Sequence, residues 1–203
     1  MPHVTPTLAF LDGTLGQFSA DLVLLLLIAV NAFLGWKLGF VRRVVAFAGL
    51  YVGVLAATNI GNGLASTFAP HSLYANAWMF VGVVAFVELI FEGLGWAFDE
   101  KIQKFVYFAF DRLTGSIAGA IVGISQALVL FLVALAVAAA PSGAGNNLPP
   151  GRGTTASDIN SAVLSGQVVR AAPTARTVFG PVLPTNLSSH LVEGTQLEAI
   201  PGL

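Results

Sequence analysis

Cysteine is absent from this chain of 203 residues, which excludes disulfides, thiol catalysis and thiolate metal sites. Charge is almost as scarce. Asp, Glu, Lys and Arg make up 9% of the residues, against about 25% in an ordinary globular chain. Nine basic and ten acidic side chains cannot supply the charged shell that keeps a chain this size in water. The formal net charge of −1 leaves no basic footprint for nucleic acid, so none is expected as a partner. The histidines, His3, His71 and His190, fall one to a segment without metal-ligand spacing, so neither a metal nor a cofactor is expected. No Lys or Arg stands in Met1–Pro6, so the basic n-region of a cleavable secretory signal is missing.

Apolar residues are abundant instead, at 56% of the chain with a mean hydropathy of +0.82. They gather in four runs, Leu22–Leu38, Val44–Leu64, Ala75–Phe98 and Leu113–Ala140. At 1.5 Å per residue each reaches roughly 25–40 Å, enough to cross a hydrocarbon core about 30 Å thick. A spanning segment must satisfy its own backbone hydrogen bonds, and none of the runs alternates as a barrel strand does, so all four are predicted helices. Asp21, just ahead of the first run, is placed to cap its first exposed amides. The lipid bilayer is thus the first partner.

Basic residues orient the spans. Lys37, Arg42 and Arg43 lie between the first two, and Lys101, Lys104 and Arg112 between the third and fourth, whereas the second connection has only His71. Short basic loops stay in the cytoplasm, which places both termini outside. Trp36, Trp78 and Trp96 lie near span ends, as interface anchors do.

Ile102, Phe105, Val106, Ala109 and Phe110 recur at helical spacing, with Asp99, Glu100, Lys101 and Lys104 off that stripe. The pattern predicts an amphipathic helix at the membrane surface, or else a helical extension of the third span. Beyond Ala140 the Pro-, Gly- and Asn-rich stretch Pro141–Gly151 reads as a linker. One short helix is expected over Asp158–Arg170, with Ile159, Ala162 and Val163 on one side, before Pro173, Pro181, Pro184 and Pro201 interrupt further structure. The expected fold class is an all-α integral membrane bundle of four transmembrane helices with an interfacial amphipathic helix and a Pro/Gly-rich C-terminal tail. The expected organisation is an extracytoplasmic segment over residues 1–18, a membrane domain over 19–140 and an extracytoplasmic tail over 141–203 that leans on the membrane domain or a partner.

Glycines recur at every fourth position in three spans: Gly49, Gly53 and Gly61 with Ala57; Gly115, Gly119 and Gly123 with Ala127; and Gly35 with Gly39. Lipid tails are as apolar as leucine, so spanning helices associate by close backbone approach, which small residues permit. The stripes predict helix packing and no chemistry.

Gly35-Trp36-Lys37-Leu38-Gly39-Phe40-Val41-Arg42 resembles the GxxxGFxR signature of the colicin V production protein (CvpA) family. Asp111-Arg112-Leu113-Thr114-Gly115, followed by Gly119 and Gly123, is similar to that family's DRxxG segment, and Asp21 fits as well. The resemblance covers about residues 19–140. Arg43 departs from it, because many members carry an acid there. What the resemblance implies is a four-span bacterial inner-membrane protein associated with toxin production or export, or with envelope homeostasis. Some membrane-anchored serine proteases resemble the family in their first part. The tail here has no Gly-Asp/Asn-Ser-Gly nucleophile segment, and His190 beside Ser188 and Ser189 lacks the fold that would place a base and an orienting acid, so no catalytic residue is expected.

Glu88 and Glu92 stand i, i+4 on the third span and so project from one helical face. Carboxylates at bilayer depth cost a few kcal/mol and usually face a bundle interior or water. With Asn31 and Gln126, also inside apolar runs, they form a candidate intramembrane proton or cation site. The alternative is packing: Glu88 hydrogen-bonds Asn31 or Gln126, and Glu92 snorkels inward. Arg42, Arg43 and Arg112 read as topology anchors, or as groups that pair with Asp99 and Asp111 or bind anionic headgroups. Three functions fit: a non-enzymatic scaffold recruiting a membrane-protein partner or a second copy of itself, a small oligomeric proton- or cation-linked transporter, and a regulator of a separate protease.

Overall fold

The computed structural model describes residues 6–68, 73–103, 111–139, 152–170, 177–184, 187 and 190–191. These form α1 (Pro6–Leu38), α2 (Phe40–Phe68), α3 (Leu73–Gln103), α4 (Asp111–Ala139), α5 (Arg152–Ser161) and α6 (Ser165–Arg170), with no strand among the described residues. Four helical stretches are long and apolar enough to cross a membrane: Gly16–Leu38, Phe40–Phe68, Leu73–Ala97 and Arg112–Ala138. Their outward faces carry large apolar side chains, among them Leu26 and Phe33 on α1, Phe86 and Leu89 on α3, and Ile117 and Ile121 on α4. A contiguous apolar exterior of this extent is stable in lipid rather than water. The protein is a multi-pass membrane protein.

Two boundaries differ from the sequence expectation. α1 begins at Pro6, well ahead of the apolar run, so Asp21 lies inside the helix and does not cap its start. α3 continues through Glu100 to Gln103. The first part of the expected surface helix is therefore an extension of the third span, as continuous helical hydrogen bonding dictates where no breaker intervenes. Residues 104–110 of that segment lie outside the described residues.

The spans pack as two antiparallel pairs, α1 with α4 and α2 with α3, joined mainly where α2 meets α4; α1 and α2 barely touch. Glycine permits the close approach in both pairs. A Cβ on Gly119 would fall on the Asn31 carbonyl, and one on Gly115 on the Gly35 carbonyl, so α4 runs backbone to backbone along α1. On α2, a Cβ at Gly53 would lie 3.0 Å from the Val84 carbonyl oxygen, and one at Gly49 would lie 2.7 Å from Phe91 Cβ on α3. Gly61 lies more loosely against Phe80, with a built Cβ 3.7 Å from its Cα. Gly39 makes the turn between α1 and α2. Its φ of 84° is left-handed, and its N–H bonds the Gly35 carbonyl at 2.9 Å, the αL helix stop that a Cβ would strain.

The tail docks on this frame. α5 and α6 replace the single helix expected over Asp158–Arg170, because the chain breaks at Ala162–Leu164. The Asp21 carboxylate sits at the break and accepts N–H groups from Val163 (3.2 Å), Leu164 (3.0 Å) and Ser165 (2.7 Å). Three amides at the start of α6 thus find the acceptor that a helix N-terminus requires. Ile159 and Ala162 are buried with Ala20, Leu24, Ala127 and Phe131, whereas Val163, expected on the same face, is 76% exposed. Further on, Phe179, Val182 and Leu191 enter the main core with Leu50, Val54, Phe80, Val84 and Val133. Phe179 packs on Phe47 and Tyr51, with ring centroids at 6.1 and 6.0 Å. The irregular backbone around Pro181 and Pro184 runs along α2, where Thr58 Oγ1 donates to the Val182 carbonyl at 3.0 Å and Asn62 Nδ2 to that of His190 at 2.8 Å. Asn76 Nδ2 of α3 donates to the Leu191 carbonyl at 2.6 Å. Non-helical backbone can lie against spanning helices only when protein groups meet its polar atoms in this way.

Candidate functional site

Five polar side chains of the spans, Glu92, Arg43, Asn31, Gln126 and Glu88, meet inside the bundle. Arg43 belongs to the buried face of α2 with Ala46, Leu50, Val54 and Ala57, and it is 1% exposed. Its guanidinium forms an ion pair with Glu92 of α3 through Nη2 and Oε1 and donates from Nη1 to Asn31 Oδ1 of α1 at 3.3 Å. Asn31 Nδ2 donates to Gln126 Oε1 of α4 at 2.8 Å and back to the Leu27 carbonyl at 2.9 Å. Gln126 Nε2 donates to Glu88 Oε1 of α3 at 3.0 Å. One chain of contacts, Glu92–Arg43–Asn31–Gln126–Glu88, therefore ties all four spans together. Each interhelical hydrogen bond of this kind contributes about 0.6–2 kcal/mol in a membrane.

Arg43 does not act as the surface anchor or headgroup ligand expected of it. It falls on the same helical stripe as the packing residues, and its charge is matched by an acid on the neighbouring helix. Arg42 lies beside it, its Nε 3.7 Å from Glu92 Oε2 and its stem against Gly95. Arg42 Nε and Arg43 Nε are buried without a hydrogen bond among the described residues. Glu92, which the packing alternative had snorkelling to the cytoplasmic side, pairs with these two cations between α2 and α3. Glu88 differs: it has no ion-pair partner among the described residues, and its one hydrogen bond there comes from Gln126. The two acids share a face yet occupy distinct environments, one neutralised by arginine and one met only by an amide.

Glu88 and Gln126 also form the floor of a crevice. α3 and α4 touch sparsely, and where they part a space of about 250 Å³ is lined by Val84, Ala85 and Glu88 of α3 and Gln126 and Val129 of α4, with Leu27 of α1 and Leu50 of α2 behind them. Val81 and Leu130 border both this space and a second of about 270 Å³, lined by Tyr74, Trp78, Val133, Ala134 and Ala138. The two spaces adjoin at Val81 and Leu130, and together they border a furrow whose α3 residues run from Trp78 to Glu88, roughly 15 Å along the helix at 1.5 Å per residue.

Arg112 is exposed at the start of α4; the side chains of Asp99 and Asp111 lie outside the described residues, as do His3 and His71. His190 Nε2 lies 3.3 Å from Asn62 Nδ2, and no group of three potential metal ligands occurs among the described residues. The structure joins the two glycine-bearing motifs: a Cβ on Gly115 would lie 2.8 Å from the Gly39 carbonyl carbon, while Arg42 reaches Glu92. Sequence reasoning missed the ion pair of Arg43, although its spacing of three, seven and eleven residues from Ala46, Leu50 and Val54 marked it as inward. It also missed Thr58, Asn62 and Asn76, whose partners are backbone groups of a distant segment.

No curated protein matches the chain, and no solved structure matches it. The family description "Colicin V production protein" matches residues 20–171. That match runs from α1 through α6, so it includes both glycine pairings, the polar chain and the Asp21 contact with the tail. The chain belongs to the colicin V production protein family.

Proposed function

We propose that the protein is a non-enzymatic scaffold of the bacterial inner membrane, serving toxin production or export, or envelope homeostasis, by presenting a rigid bundle to a membrane-protein partner or a second copy of itself. The supporting observation is the closed chain Glu92–Arg43–Asn31–Gln126–Glu88, which uses the intramembrane acids to tie four helices together. Interhelical hydrogen bonds of this kind hold spanning helices in one packing. In the proposed orientation the Gly39 end, with Lys37, Arg42 and Arg112, faces the cytoplasm and both termini face outward.

Single cysteines placed at 71, 88, 104 and 196 in the cysteine-free chain test this with a membrane-impermeant maleimide. Positions 71 and 196 label in intact cells and 104 only after opening; position 88 stays unlabelled. Labelling of 88 from the aqueous phase would overturn the scaffold reading.

A transporter is the second reading, favoured by one feature: Glu88 has no ion-pair partner among the described residues and lines the furrow. It predicts proton or cation flux from purified protein in liposomes that Glu88→Gln abolishes. Absence of flux with an intact bundle sinks it.

A further inference from the structure

The furrow between α3 and α4 calls for an occupant that the packing does not provide. Its walls are apolar over the length from Trp78 to Val84, with Val81, Leu130, Val133 and Ala134 facing in, and water does not fill an apolar space of this kind. Its floor is polar. Glu88 presents one carboxyl oxygen to Gln126 Nε2 at 3.0 Å; the other has no hydrogen-bond partner among the described residues, and the residue lines the space. A pure hydrocarbon chain entering from the bilayer would bring no partner to that oxygen, and leaving a carboxyl unmet at this depth is costly. A charged head would bear its own dehydration cost on the way in. A neutral head with one O–H or N–H donor avoids both costs.

We propose that the furrow is a binding site for a neutral, lipid-soluble amphiphile, whose hydrogen-bond donor meets Glu88 beside Gln126 and whose apolar body lies along Val81 and Leu130 toward Trp78. The orientation is opposite to that of a bilayer lipid, whose polar head stays at the interface. Ala85 lines the inner compartment and is exposed, so a large side chain there fills the site without entering the core. The site does not depend on the scaffold role.

The test uses the full-length protein in phospholipid nanodiscs with two photoreactive probes, a diazirine-bearing dodecanol and the matching dodecane without the hydroxyl, read by mass spectrometry of the labelled residues. The alcohol labels Val81, Ala85 and Leu130 about fivefold or more above the alkane, corresponding to about 1 kcal/mol of selectivity. Free dodecanol competes and dodecane does not. Glu88→Leu and Ala85→Trp each reduce the labelling to the alkane level, while Glu88→Gln, which keeps an acceptor, retains it. Should Glu88→Leu fail to assemble, Ala85→Trp and the probe comparison still decide. Equal labelling by both probes means that the furrow holds bulk acyl chains and overturns the proposal. So does labelling undiminished by Ala85→Trp, or capture of a second copy of the chain by a photoreactive leucine analogue in place of Leu130.

Discussion

Arg43 and Glu92 form an ion pair across the α2–α3 interface, with the arginine side chain wholly enclosed and the glutamate partly so. Its consequence is an asymmetry between removing one partner and removing both. Arg43→Ala leaves Glu92 with the more distant Arg42 as its remaining cation among the described residues, and is expected to cost on the order of 3 kcal/mol, because breaking a buried pair strands a charge. Replacing both by methionine removes the desolvation penalty with the pair and is expected to restore most of the stability. Thermal unfolding of purified protein in detergent measures both. Equal damage by the single and double variants would show that the pair's geometry, not stranded charge, governs stability.

Glycines that meet backbone should respond differently from glycines that meet nothing. Gly119→Leu drives a side chain into the Asn31 carbonyl, and Gly53→Leu into that of Val84, whereas Gly63 and Gly82 have nothing among the described residues within 4 Å of a built Cβ. The first two substitutions are expected to abolish the monodisperse peak in size-exclusion chromatography. Gly63→Leu and Gly82→Leu leave it in place, with a small gain in helix propensity.

Asp21 serves three tail amides at once. Asp21→Ala leaves the start of α6 without its acceptor and is expected to weaken docking by about 1 kcal/mol, the scale of a lost N-cap. Hydrogen exchange at Val163–Ser165 should accelerate, while α2 and α3 keep their protection.

Phe179 is 3% exposed in the main core, so Phe179→Ala is expected to lower bundle stability by about 3 kcal/mol, the usual result of deleting a buried ring. Truncation after Arg170 should be worse, since it also removes the carbonyls that satisfy Thr58, Asn62 and Asn76. A chain as stable without residues 171–203 as with them would show that the tail only rests on the surface.

Much was legible without coordinates. Span number, helical class and packing residues followed from run length, the need of spanning backbone to bond itself, and the spacing of glycines, all local quantities. The amides and acids of the apolar runs were equally visible, because a polar residue in such a run stands out by composition.

Pairing was not visible. Small faces show that helices approach closely, but not which ones, and only the assembled bundle sets α4 against α1 and α3 against α2. That choice carries Arg43 inward to Glu92, leaves Glu88 to an amide, and opens the furrow where α3 and α4 part. It likewise sends Asp21 to amides more than a hundred positions away instead of to its own helix. Hydrophobic length and glycine spacing act along one helix and can be read from one segment. Charge pairing, capping between distant segments and the shape of a gap depend on which surfaces meet, and are decided only when the whole chain has folded.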